Sequence, residues 1–97
     1  MKWVVITETF VKDLQDPEFV QFYLEEALND GQANFLMALR QVIKANDGMT
    51  KVSADIDVSR ESLYKSLSEN GNPNFATVSM VLASLGMKFS IAIAPQQ

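Results

Sequence analysis

Residues 50–67 read Thr50-Lys51-Val52-Ser53-Ala54-Asp55-Ile56-Asp57-Val58-Ser59-Arg60-Glu61-Ser62-Leu63-Tyr64-Lys65-Ser66-Leu67. Their apolar positions fall into two helical pairs, Val52 with Ile56 and Leu63 with Leu67, and Val58 lies between them as a plug for a turn. Residues four apart share one face of an α-helix. The spacing therefore predicts a short helix from Thr50, its candidate cap, to about Ile56, a tight turn at Asp57-Val58, and a second helix over 59–68. Two short helices joined by a turn of about three or four residues have the dimensions of a helix-turn-helix. Ser53 supplies the small side chain needed where the two helices approach. Asp57 stands where glycine is commonest, because Asp tolerates left-handed backbone at some cost. Ser59 is a capping residue, but Ser62 rather than Glu follows three positions later, so no full capping box forms.

With Leu63 and Leu67 turned inward, Arg60, Glu61, Tyr64, Lys65 and Ser68 face outward or flank, and Ser62 sits near the edge. That surface suits the major groove of DNA. A guanidinium one residue into the helix, at Arg60, can fork onto O6 and N7 of guanine, and Glu61 can accept from N4 of cytosine. Ser59 and Ser62 are short enough to reach a phosphate or a base, while Lys51 and Lys65 are candidate phosphate contacts. Thr50, at a helix N-terminus, is another, and Gln41 and Lys44 extend the footprint. A plainer reading stays open on spacing alone. Glu61 and Lys65 can pair on the helix surface for about 0.3–0.5 kcal/mol, Tyr64 can pack at the rim, and such helix pairs occur in bundles that never touch DNA.

Outward from this stretch, Asp16-Pro17-Glu18 is a helix start: Asp16 accepts from a free N–H, Pro17 fits the first helical position and Glu18 complements the dipole. Val20, Tyr23, Leu24, Ala27 and Leu28 then form an apolar stripe, ended by Asn29-Asp30-Gly31. A second helix spans about Gln32 to Ala45, with Phe35, Leu39, Val42 and Ile43 inward and Asn46-Asp47-Gly48 as its exit. Asn70-Gly71-Asn72-Pro73 signals a loop, and Asn74 caps a last helix carrying Phe75, Val78, Leu82 and Leu85 on one face, with Gly86 just beyond its end. Past Gly86 the period changes to two: Met87, Phe89, Ile91 and Ile93 alternate with Lys88, Ser90, Ala92 and Ala94, the pattern of a half-buried strand. A lone strand leaves its backbone groups unpaired, so its mate is either Trp3-Val4-Val5-Ile6-Thr7, also rich in β-formers, or the same segment of a second subunit.

The 97 residues, 47% of them hydrophobic, suit one domain over 1–97 with its helix-turn-helix core at about 49–68. No repeat or long linker divides them. There is no cysteine and no histidine, which removes disulfides, thiolate metal sites, the commonest metal ligand and the commonest general base. Asp55-Ile56-Asp57 resembles the start of a cation loop but lacks its glycine and distal glutamate, so no metal, cofactor or catalytic residue is assigned and no enzyme is expected. Lys88 is the single charge between Phe75 and Ala94, yet Gly86 and the change of period split that stretch into two elements, so a membrane span is not expected. A cytoplasmic setting fits the cysteine-free composition. The net charge of −4 is uneven: residues 1–30 carry seven acids and two bases, and the remainder carries six bases and five acids. An acidic first third suits a basic partner or an ordinary solvated face.

Gly48-Met49-Thr50, Ser59-Arg60-Glu61-Ser62-Leu63-Tyr64-Lys65-Ser66-Leu67, Gly71-Asn72-Pro73-Asn74-Phe75-Ala76-Thr77-Val78 and Leu85-Gly86-Met87 together resemble the addiction-module antidote family. The Asp16–Leu28 helix is similar as well, so the likeness covers about four-fifths of the chain. The resemblance implies a small helix-turn-helix antitoxin that binds its operator as a homodimer, represses its own transcription and neutralises a compact cognate toxin. It places Ser59, Arg60, Glu61, Ser62 and Lys65 on the DNA. Ser53, Ala54 and Asp57 depart from the family pattern and bear on the strength of binding more than its existence. The fold expected is mainly α: a five-helix, lambda-repressor-like domain with a short C-terminal strand. The alternatives are an orphan phage-type transcriptional regulator without a toxin, or a protein-interaction module that does not bind DNA.

Overall fold

In the computed structural model, which describes residues 8–95, the chain is a bundle of six helices. They are α1 (Glu8–Asp13), α2 (Pro17–Asn29), α3 (Gln32–Ala45), α4 (Gly48–Asp55), α5 (Arg60–Ser66) and α6 (Phe75–Ser84). Five occupy the expected places. The sixth, α1, was not expected. The Trp3–Thr7 segment lies outside the described residues.

Local chemistry sets most boundaries. The Asp16 carboxylate accepts from the Glu18 N–H at 3.2 Å and Pro17 opens α2. Asn74 caps α6 through the Thr77 N–H at 2.8 Å. Each cap satisfies a backbone donor that a helix start leaves free. At the far end of α6, Gly86 has φ 81°, its N–H reaches the Ala83 carbonyl, and the Met87 N–H reaches the Leu82 carbonyl at 2.7 Å. That paired arrangement closes the last turn and requires left-handed backbone at Gly86. Gly71 is needed for a different reason. A Cβ there would lie 2.1 Å from the Ser66 carbonyl oxygen, so only glycine lets the loop cross the end of α5.

α3 is the central helix. Phe35, Leu36, Ala38, Leu39, Val42 and Ile43 are all buried, and α2 packs along it with Val20 and Leu24. Leu14, which follows α1, joins the same core, and Phe10 meets Phe19 and Tyr23 edge-on at 6.4 and 5.7 Å. Tertiary packing of Phe10 and Leu14 holds so short a helix, which has little intrinsic stability. Val52, Leu63, Leu67, Val78, Val81 and Leu82 complete the core.

Two expected inward residues are exposed: Leu28 at the end of α2, and Phe75, which stacks on Phe89 at 5.2 Å at the rim of the bundle. The expected C-terminal strand is absent among the described residues. Residues 87–95 carry no regular structure. The period-two pattern is kept in its first half, where Met87 and Phe89 pack on the core while Lys88 and Ser90 face solvent. Ile91 and Ile93 are then fully open, at 102% and 94% exposure. A strand exists through its ladder, and no partner strand is present among the described residues.

Candidate nucleic-acid interface

α4 ends and α5 begins within four residues, 56–59. At the end of α4, Asp57 has φ 59°, its N–H bonds to the Ala54 carbonyl, and the Val58 N–H bonds to the Ser53 carbonyl at 3.0 Å. The left-handed residue reverses the chain and Val58 tucks, half-buried, against the core. Asp57 thus takes the conformation expected of it. Ser53 is buried at the crossing, where its hydroxyl donates to the Thr50 carbonyl at 3.0 Å. A larger side chain would have to push the helices apart.

α5 starts on Ser59, whose Oγ accepts from the Ser62 N–H at 3.0 Å and donates to Ser62 Oγ at 2.8 Å. Its inner side is sealed by Leu63 and Leu67, both essentially without exposure. Its outer side presents Arg60, Glu61, Ser62, Tyr64 and Lys65, all exposed. The far end is tied to α3, because the Arg40 guanidinium donates to the carbonyl of Leu67. Among the described residues no ion pair links Glu61 to Lys65, so both charges remain available on the surface.

Beside this face runs an open groove of about 590 Å³ between α3, α4 and α5. Thr50, Arg60 and Tyr64 line it together with Gln41 and Lys44. Arg40 lines it as well and was missed in the sequence; its spacing from Met37 and Lys44 along α3 was the available signal. The groove holds three cations, Arg40, Lys44 and Arg60, against the acids Asp47 and Glu69. Gln41 accepts a hydrogen bond from the Tyr23 hydroxyl, whose pKa burial pushes up.

Of the expected phosphate contacts, one is otherwise engaged. Lys51 forms an ion pair with Asp55 at 3.2 Å, one turn along α4. The Ser84 hydroxyl donates to the same carboxylate at 2.8 Å and, with Lys51, holds the Asp55 carboxyl below its ordinary range. Thr50 sits inside the first turn of α4 and does not cap it, since the helix begins two residues earlier. Among the described residues no acidic cluster could hold a metal ion, and no helix is long and apolar enough to cross a membrane.

A family described as "Probable addiction module antidote protein" matches residues 7–93, which takes in all six helices and the whole α4–α5 pair. The chain belongs to this antidote family. A member of the family is an antidote, a regulatory protein and not an enzyme. An uncharacterised protein of Haemophilus influenzae strain Rd is 38% identical to this antidote over 79 residues, 80% of each chain. No solved structure matches the chain.

Proposed function

We propose that this antidote is a DNA-binding antitoxin of the helix-turn-helix type. In this reading residues 1–97 form one domain with its helix-turn-helix core at about 49–68, and α5 is the recognition helix. As a homodimer it binds an operator in its own promoter, represses transcription and captures a cognate toxin in the cytoplasm. The observation that carries the reading is the division of α5. Leu63 and Leu67 are sealed into the core, while Arg60, Glu61, Tyr64 and Lys65 stand exposed along the other side. Arg60 and Glu61 read base edges. Ser62 and Lys65 meet the backbone on one side of the groove, and Thr50, Lys44 and Ser59 meet it on the other. Lys51 reaches a phosphate by giving up Asp55, an exposed pair that is weak in water. Two-fold symmetry sets the half-sites about 34–36 Å apart.

A second reading, an interaction module without DNA binding, draws on α2, where exposed Phe22 stands among Glu18, Glu25 and Glu26. A basic protein could dock there. Retardation of the chain's own upstream DNA separates the two. The antitoxin reading expects a discrete complex at low salt whose affinity falls steeply as salt rises, because bound phosphates release counterions. Absence of any retarded species at low salt leaves the interaction module. An adjacent reading frame for a small basic protein supports a toxin, and its absence leaves an orphan regulator.

A further inference from the structure

The segment beyond Gly86 carries an apolar set whose second half, Ile91 and Ile93, nothing in the described chain covers. Met87 and Phe89 are anchored, with Phe89 against Phe35 at 6.4 Å and stacked on Phe75. Ile91 and Ile93 continue the same alternation into solvent. Fully exposed isoleucines are costly to leave in water, and two at alternate positions of one short segment mark an interaction surface. Alongside lies an open groove of about 390 Å³ between α2 and the segment itself, with Leu24, Leu28, Phe35, Leu82, Met87 and Phe89 on its walls.

We infer that the occupant of this groove is the same segment of a second copy, paired antiparallel about a two-fold axis through Ser90. The apolar set 87, 89, 91 and 93 is symmetric about position 90. In that register Phe89 faces Ile91 of the second copy, Met87 faces its Ile93, and all four side chains lie on the core side of both protomers. A one-residue slip would turn half of them into water. Pro95, which has no N–H to give to a ladder, falls outside the ribbon. The charges agree with this placement. Lys88, the single charge of the segment, faces Ala92 of the second copy, and the two lysines stand about 14 Å apart, beyond the screening length of about 8 Å at physiological salt. The pairing supplies backbone partners to the stretch after Met87, whose own N–H is already bonded to the Leu82 carbonyl, and each copy then places its isoleucines on the groove of the other. The ribbon deepens the homodimer of the proposed repressor and rests on that reading only for its consequence on DNA.

The chain has no cysteine, so single cysteines report the register directly. Residues opposite each other in an antiparallel pair have Cα atoms about 4.5–5.5 Å apart, within the range a disulfide bridges. Full-length Ser90→Cys under mild oxidation is expected to become a covalent dimer on a non-reducing gel. Ala92→Cys alone is expected to stay monomeric on the gel, and Lys88→Cys mixed with Ala92→Cys to give the mixed dimer. All three positions are on the solvent side, so circular dichroism should match the parent. Ile91→Asp should shift the sedimenting species from dimer to monomer. A Ser90→Cys protein that stays monomeric, or an Ala92→Cys protein that cross-links as readily, overturns the proposal and leaves the groove to another segment or another protein. The readout needs no DNA. Cross-linking without DNA retardation leaves the ribbon standing and removes the repressor, whereas retardation without cross-linking does the reverse.

Discussion

Arg60→Ala is expected to weaken operator binding by about 1–3 kcal/mol, roughly 5- to 150-fold, and to relax base preference at one position of each half-site. The size follows from what the guanidinium offers: two parallel donors in a fixed fork, matched to the two acceptors of guanine, in a groove that excludes much of the water. Arg60 is exposed and bears no part of the core, so stability and helix content should be unchanged. Arg60→Lys should recover part of the affinity and little of the base preference, because an ammonium is a point charge without the fork. Titration of a set of duplexes carrying each base at each position separates these effects. Equal affinity and equal preference in Arg60→Ala would remove α5 as the reading helix.

Leu63→Ala should cost about 2–5 kcal/mol of folding stability, a large share of the roughly 5–15 kcal/mol available to a domain of this size. Leu63 is 1% exposed and anchors a helix of only seven residues, which cannot stand without its apolar side. The deleted methyl groups lose their burial and leave a cavity in the core beneath α5. Urea unfolding followed by circular dichroism should show a lower midpoint with an unchanged slope. Leu63→Met keeps the volume and should lose less than about 1.5 kcal/mol. A midpoint unmoved in Leu63→Ala would mean that α5 is not held by its inner side as described.

What the sequence made legible was chemistry confined to a few neighbouring residues. Asp16, Ser59 and Asn74 each cap the helix that follows, and Asp57 and Gly86 each take the left-handed residue at a helix exit. The α4–α5 pair could be placed because its apolar spacing and its turn residue agree. Features that depend on distant partners were harder to read. α1 exists because Phe10 and Leu14 meet α2 and the core, a fact that no pattern in six residues contains. The alternation after Gly86 is real, yet alternation specifies which side is apolar and not whether a ladder forms. Phe75 has helical spacing with Val78 and Leu82 but lies at the rim, where Phe89 covers only one of its faces. Arg40 was overlooked because its role lies in reaching the carbonyl of Leu67, 27 residues on. That tie fixes how α5 leans against α3.

The most direct measurement is a titration of the isotopically labelled chain with a duplex from its own promoter, followed by backbone amide shifts. Large perturbations are expected at Thr50 and over residues 59–65, with the outer surface of α2 unmoved. Tight binding that leaves residues 59–65 unperturbed, or no binding at low salt, would contradict the assignment of α5 to the groove.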